Sequence, residues 1–462
     1  MTQQPNSPPG FSTIFSLRRS LPLLPLLLRT MSALSTALPT RPPVVHLFRY
    51  DLRVHDHPSL TAAAAYARDN GLPLVNLYCF DPAQTRKSSP LRLKFTLECV
   101  QNLAEKLPLT VAISDPVTYV RDKYPGAKVY LQSEPCRDER LTSLSLSATE
   151  TFGSALIDVD DLPFPVSECP TVFTPFRSKV EKASGPREPL PAVDFSAVQL
   201  TPSDSPVPTL EDLGVSSAPA SHANSTLGDI KGGEDAAFGR LKRYVWEEDR
   251  LKEYFDTRNG LIGQGYSTKL SSYLAQGCIS PRFVCSECRR YESERVSNKS
   301  TYWVIFELLV RDFCRFSAMR HGDDIFKITG TLERAAHGAH QNSRRWGYHA
   351  QTFERWKDGA TGYPFVDAAM RELKATGYMS NRSRQNVASF LALDMSQDWT
   401  KAADHFERHL LDYDIYSNWW SWAMAAGMTG GRVNKFNVVK QVSERLASKR
   451  RKGAPTSDPT AC

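Results

Sequence analysis

The chain has 462 residues, 41% hydrophobic and 23% charged, with 57 Lys+Arg against 50 Asp+Glu and a formal net charge of +7. That length holds roughly two or three domains with sizeable cores, and the mild basic excess permits an anionic partner such as DNA without demanding one. The nine cysteines are scattered, which excludes a dense disulfide framework and suits a reducing compartment.

In chain order, residues 1–43 read as a leader. The first fifty residues carry Arg18, Arg19, Arg29, Arg41 and Arg49, many Ser and Thr, and no acidic residue. Arg-rich, Ser-rich and acid-free is the composition of an organelle transit peptide, the mitochondrion first, with a disordered extension ahead of a start at Met31 as the alternative. The run LPLLPLLL (21–28) is too short and too proline-rich to span a bilayer, so no membrane segment is expected. From Val44 the pattern turns to short apolar runs: VVHLF (44–48), LPLVNLYCF (72–80), LTVAI (109–113), KVYLQ (128–132) and ALIDV (155–159) read as strands. Helical stretches at Ala62–Ala67 and Leu91–Leu107 lie between them, which predicts an α/β domain over 44–165 with a parallel, Rossmann-like sheet covered on both faces. No GxGxxG is present, so the usual dinucleotide fingerprint is absent. Residues 166–232, rich in Pro, Ser and Thr, form a connector. Residues 233–445 read as an all-α domain, interrupted near Asn259–Tyr266, and 446–462 as a basic, disordered tail whose KRRK (449–452) offers a nuclear address as the alternative to an organelle or the cytoplasm. Cys285 and Cys288 form a lone CxxC without a second ligand pair, so they read as core thiols and no metal is expected.

Three stretches of the helical region carry chemistry. In TYWVIFELLVRDFCRFSAMR (301–320), Glu307 and Arg311 are four apart and share a helix face, as a structural ion pair or as part of a ligand site. In RNGLIGQGYSTKLSSYLAQGCISPR (258–282), a Gly-rich loop precedes Ser267, Thr268, Lys269, Leu270, Ser271 and Ser272 where a helix would start. Such hydroxyls are helix caps or a phosphate cradle. Between Gly377 and Trp422, the residues Asn381, Arg384, Trp399, Asp412, Asp414, Asn418 and Trp422 are set among Phe390, Leu391, Leu393 and Leu410. Buried polar groups cost about 1–3 kcal/mol each unless partnered, and a large, flat ligand rich in hydrogen-bonding edges would partner them all. That points to a bound cofactor. Trp346, Trp399 and Trp422 are core plugs or an electron path from that cofactor to the surface.

These residues carry a resemblance. HLFRYDLRVHDHPSL (46–60), the run GGEDAAFGRLKRYVWEEDRLKEYFDTRNGLIGQGYSTKLSSYLAQGCISPR, STYWVIFELLVRDF, TGYPFVDAAMRELKATGYMSNRSRQNVASFLALDMSQDW and LLDYDIYSN resemble the photolyase/cryptochrome family over roughly 44–440, and most of all its DASH branch. The resemblance implies an α/β antenna domain followed by a helical domain that binds FAD in a U shape. It places Tyr254 and Arg258 near the adenine and phosphates, and Ser267, Thr268, Lys269, Leu270 and Ser271 at the diphosphate. Glu307 and Arg311 then line the cavity floor, with Glu307 also touching a dimer. Asn381 and Arg384 touch the flavin, with Arg384 paired to Asp412, and Asp414 lies at the isoalloxazine N3 edge. Asn418 faces N5, where a neutral amide accepts from N5–H. Trp422, Trp399 and Trp346 stand as proximal, middle and distal members of a photoreduction chain. The implied antenna is 5,10-methenyltetrahydrofolate, with Glu134 as the candidate acidic contact.

The implied activity is that of a deoxyribodipyrimidine photolyase-type lyase: blue-light repair of cyclobutane pyrimidine dimers, chiefly in single-stranded DNA, by a monomer. The alternative is a blue-light photoreceptor without repair, because three positions depart from the family. Val310 and Met424 stand where aromatic walls are usual, and Trp420 stands where Gly is usual. A base stacked on an aromatic face is worth ~1–3 kcal/mol, so two lost walls weaken dimer binding, while Trp420 refills the pocket, stacks on the dimer or crowds the flavin. GMTGGRVNKF (427–436) is also shorter than the family's segment, and the residues after Gln441 do not resemble it.

Overall fold

In the computed structural model the described residues are 41–183, 185–203, 206–216, 227–228, 230–331 and 346–441. Most of the leader and the basic tail expected from the sequence lie outside them. Five strands, β1 (Val44–Phe48), β2 (Leu74–Cys79), β3 (Thr110–Ala112), β4 (Lys128–Gln132) and β5 (Thr149–Thr151), form one parallel sheet in the order β3-β2-β1-β4-β5. β1 lies at the centre, Val44 pairing with both Leu74 and Lys128. All five β1 residues are buried, as an apolar run must be when helices cover both faces.

The helices begin where a cap meets a proline. α1 (Pro58–Asn70) is capped by His57, α2 (Pro90–Lys106) by Ser89 and α3 (Pro116–Lys123) by Asp115, each cap side chain accepting a backbone N–H of the first turn. Proline at the first helical position lacks only an N–H that has no helical partner anyway. α4 (Arg137–Ser145) follows. The periodicity of the sequence shows neither α3 nor α4, both being short.

One predicted strand is absent. ALIDV (155–159) is not in the sheet; β5 lies earlier, at Thr149–Thr151. The run is buried for a different reason. The N–H groups of Leu156 and Ile157 donate to the two carboxylate oxygens of Asp312, at 3.0 and 2.8 Å. Asp312 belongs to α8, in the helical half, so the segment leaves the ladder to clamp a helix. Burial raises the Asp312 carboxyl from 3.8 to about 6. The folded chain therefore holds a proton that the unfolded chain releases: this contribution is full below 3.8 and lost as pH rises through about 6. Asp312→Asn turns an amide N–H toward one of the two backbone donors. We expect a loss of about 1–3 kcal/mol, read in urea unfolding, and a flatter stability profile between pH 4 and 6. A variant as stable as the parent would dismiss the clamp.

The helical half comprises α5 (Phe173–Ala183), α6 (Glu234–Lys242), α7 (Pro281–Glu294), α8 (Lys299–His321), α9 (Ala350–Lys357), α10 (Pro364–Thr376), α11 (Asn381–Ser389), α12 (Trp399–His409) and α13 (Ile415–Ala426), with short turns between. One apolar core runs without a break from α2 through Leu156 and Phe313 to Trp422. The sheet order reverses between β1 and β4, the place where sheets of this type usually open a ligand crevice. Here it is filled. Arg49 donates to the carbonyls of Gln132 and Glu139, and Gly277 of the helical half sits so close that a Cβ would collide with the Tyr50 carbonyl. Arg53, fully buried, donates to the Gly277 and Gly153 carbonyls at 3.0 and 3.1 Å. Asp56 accepts from Arg282 of α7 at 2.7 Å.

Candidate functional site

The loop 258–270 is held from behind by Arg240 of α6, which donates to the carbonyls of Thr268, Ser267 and Gln264 at 2.8–3.0 Å. This anchor turns the loop so that Lys269 points inward. Lys269 has φ +58°, a left-handed conformation that a side-chain-bearing residue holds only under constraint, and such outliers cluster at ligand sites. Its ammonium is buried over the rings of Tyr266 and Tyr378, at 3.5 and 4.5 Å, and 3.4 Å from the Tyr378 hydroxyl. Among the described residues no carboxylate lies within ion-pair distance of it. Burial lowers Lys269 to about 6. A buried cation of this kind fits a phosphate-bearing ligand, which would hold it charged. Ser271 opens the short helix Ser271–Ala275 behind it.

α8 forms one wall, and here a second expectation is corrected. Glu307 and Arg311 share a helix face but do not pair with each other. Glu307 accepts from the Tyr254 hydroxyl and pairs with Arg258 at 3.4 Å. Arg311 pairs with Asp414 at 3.4 Å and donates to the Leu274 carbonyl at 3.3 Å. Each charge finds a partner on a neighbouring element in place of the weak i,i+4 contact. Arg258 also lies 4.6 Å over Trp303, a cation–π contact that fixes its guanidinium.

α11 and α13 complete the walls. Ser380 caps α11, so Asn381 sits in its first turn. Arg384 donates to both oxygens of Asp412, at 2.9 and 2.8 Å, and to the Met379 carbonyl at 2.7 Å. Asp414 caps α13 by accepting from the Ser417 N–H at 2.8 Å. Burial opposes its charge, yet Arg311 and Arg315 hold its carboxyl below the usual range. Asn418, one turn on, is buried and donates its amide to the Ala403 carbonyl of α12 at 3.1 Å.

A cavity of about 440 Å³ opens between Arg258, α11 and the stretch 432–436. Arg258 and Asn381 line it, joined by Arg382, Arg432 and Lys435, three cations that sequence reasoning did not single out. Arg382 lies inside the same SNRSR motif, and the motif could have pointed to it; Arg432 and Lys435 lie in a segment read as divergent. Trp420 does not line this cavity. It is 3% exposed and packs edge-on to Phe313 at 5.5 Å and flat on His321 at 6.0 Å. It fills the core between α8 and α13. Val310 is half-buried and Met424 is 45% exposed. Glu134 is likewise engaged: its carboxylate accepts from Gln132 and Arg315, at 2.9 and 2.8 Å, and from the Tyr416 hydroxyl. It is 3% exposed and presents no free edge to an antenna.

Of the three tryptophans, Trp399 and Trp422 are buried and Trp346 is half-buried. Their rings do not touch one another among the described ring contacts. Trp422 meets Phe406 at 5.0 Å and Trp356 at 6.0 Å, while Trp399 meets Trp419 at 6.1 Å. The backbone brings the other two segments side by side: Gly347 N–H donates to Ser396 and Asp398 N–H to Gly347, at 3.0 and 2.8 Å, next to Trp346 and Trp399 respectively. Trp356 and Trp419 are rings of this cluster that the spacing did not suggest.

The chain matches the family described as DNA photolyase over residues 44–194 and the FAD binding domain of DNA photolyase over 303–448. It is 42% identical over 453 residues to a cryptochrome DASH, chloroplastic/mitochondrial, of Ostreococcus tauri, covering 87% of this chain and 81% of the relative. It is 40% identical over 432 residues to a cryptochrome DASH of Synechocystis, covering 87% and 84%. The chain belongs to the cryptochrome DASH branch of the photolyase/cryptochrome family. Its fold is similar to the crystal structure of Synechocystis cryptochrome, with a TM-score of 0.79, 38% identity, and coverage of 89% and 87% of the two chains. A class III photolyase from Agrobacterium tumefaciens, 23% identical with a TM-score of 0.73 and coverage of 90% and 87%, shares the fold. This cryptochrome DASH chain thus pairs a parallel α/β domain with a helical FAD-binding domain. No helix among its described residues is long and apolar enough to cross a membrane.

Proposed function

We propose that this cryptochrome DASH chain holds FAD between Lys269, Arg258, Glu307, Arg311, Asn381, Arg384, Asp414 and Asn418, and uses blue light to repair cyclobutane pyrimidine dimers, chiefly in single-stranded DNA. The observation that carries this reading is the cationic cavity beside the cofactor walls, lined by Arg258, Arg382, Arg432 and Lys435. When bound, FAD supplies light absorption and the transferred electron. The chain's residues supply position and field. Lys269 neutralises phosphate charge, the Arg384–Asp412 pair holds α11 against the 410–414 loop, and Asn418 offers a neutral amide rather than a second carboxylate beside Asp414. A flipped-out dimer would enter over Arg258 and Asn381, with Arg382 and Arg432 facing the phosphates.

A second reading, a photoreceptor without repair, is favoured by Met424 and Val310. With aliphatic side chains where aromatic walls are usual, the pocket gives up about 1–3 kcal/mol of stacking per wall. The acid-free leader, together with an Ostreococcus tauri relative named chloroplastic/mitochondrial, supports an organellar address, the mitochondrion first. A folate antenna would need contacts other than Glu134.

The test is to follow the absorption of purified protein under blue light with a reductant and then add a thymine-dimer-containing single-stranded oligonucleotide. We expect the flavin bands to bleach and dimers to be lost. Bleaching without dimer loss would transfer the function to the photoreceptor reading. Protein without flavin bands would end both.

A further inference from the structure

Glu134 offers no edge to an antenna, yet its burial needs a reason. Its side chain is 1% exposed, and that of Arg315, its ion-pair partner at 2.8 Å, is 3% exposed. Taking both charges out of water costs several kcal/mol each, and apolar side chains of similar volume often do as well or better. Stability alone is therefore a poor account of this pair. What it touches gives a better one.

Glu134 follows β4, in the α/β half. Arg315 stands on α8, one turn beyond Arg311 and on the same helix face. Tyr416 stands on α13, two residues beyond the Asp414 cap. One oxygen, Glu134 Oε2, accepts from both the Arg315 guanidinium and the Tyr416 hydroxyl, while Oε1 accepts from the Gln132 amide. Arg315 also lies 4.4 Å over the Tyr416 ring. A single carboxylate from the α/β half thus ties together the two helices whose Arg311 and Asp414 pair on the cofactor wall. Arg315 serves two carboxylates. It pairs with Glu134, and beside Arg311 it favours the charged form of Asp414.

We propose that Glu134 is a positioning residue of the cofactor site: it fixes Arg315 against α13 and sets how much positive charge reaches the Asp414 edge. This role rests on the reading that Asp414 faces the flavin. Charges held in the interior are screened far less than those on the surface. With Glu134 ionised, Arg315 is balanced. Without that carboxylate, an unbalanced guanidinium remains one turn from Arg311, and a more positive wall favours the electron-rich, reduced form of the cofactor.

Glu134→Gln keeps the shape and an acceptor for Arg315 and Tyr416 while removing the charge. The full-length flavin-loaded protein is titrated with a reductant in the dark, and its flavin potential and Tm are recorded. We expect Glu134→Gln to raise the potential, equivalent to about tenfold tighter retention of reduced over oxidised cofactor, or ~30 mV for a two-electron couple. Arg315→Gln leaves Glu134 as the unbalanced charge and is expected to lower the potential by a similar factor. Loosened packing does not produce opposite signs. Glu234→Gln, which neutralises the other joint between the two halves at His55, is expected to lower Tm and leave the potential unchanged. A parental potential in flavin-loaded Glu134→Gln, or shifts of one sign in both variants, would overturn the role and leave Glu134 a structural tie. Should Glu134→Gln fail to fold, the sign of the Arg315→Gln shift decides. Wild-type protein that holds no flavin would remove the cofactor reading itself, and this role with it.

Discussion

Lys269→Met is expected to strip FAD from the protein, weakening its retention by a factor of about 30 or more. Truncating one partner of a buried, hydrogen-bonded charge pair costs about 2–5 kcal/mol, mostly because the other charge is left unpaired. The site has no substitute at that position: Lys269 is enclosed by Tyr266 and Tyr378, and its left-handed backbone aims it inward. The same burial sets a pH dependence. With the lysine lowered to about 6 in the free site, binding an anionic diphosphate raises its proton affinity, so binding takes up a proton. FAD affinity should therefore strengthen as pH falls from 8 toward 6, by up to tenfold per unit, and level off below 6. Reconstitution of apoprotein followed by flavin fluorescence reads both effects. Stoichiometric FAD in Lys269→Met, or an affinity flat across this range, would remove Lys269 from the phosphate site.

Trp422→Phe is expected to leave FAD content unchanged while slowing photoreduction by about tenfold or more, an increase of at least ~1.4 kcal/mol in barrier. Phenylalanine preserves most of the packing against Phe406 and Trp356, yet it lacks the readily oxidised indole. Trp422 stands one turn beyond Asn418 on α13, which places it next to the proposed flavin face. Flash photolysis of the variant under blue light with a reductant gives the rate directly. A normal rate would show that electrons arrive elsewhere, and Trp419, edge-on to Trp399 at 6.1 Å, is the residue to replace next.

The sequence by itself determined those features whose causes are local. VVHLF and KVYLQ are strands because short, mostly apolar runs suit a sheet covered on both faces, and helices such as Pro58–Asn70, Pro90–Lys106, Pro116–Lys123 and Pro281–Glu294 open at a cap residue followed by proline. The cluster of amides, an arginine and carboxylates between 381 and 418 stood out because such groups do not sit among leucines without a partner, and in the fold Arg384 takes Asp412, Asp414 takes Arg311 and Asn418 takes the Ala403 carbonyl. The tertiary structure decided which partner each charge takes. Glu307 and Arg311 lie one turn apart, but Tyr254, Arg258 and Asp414 approach from other elements with better geometry. ALIDV has a strand's composition, but Asp312, some 155 residues away, captures its N–H groups. Trp420 reads as an intruder into the pocket, and only the approach of α8 shows that Phe313 and His321 receive it. The pairing of β1 with the loop that follows is equally invisible in VVHLF, where His46 looks like any polar interruption until Asp51 and His57 fold back against it. Burial and propensity act over a few residues and can be read from a string. Hydrogen bonds and ion pairs between distant segments depend on distances that exist only once the chain has closed.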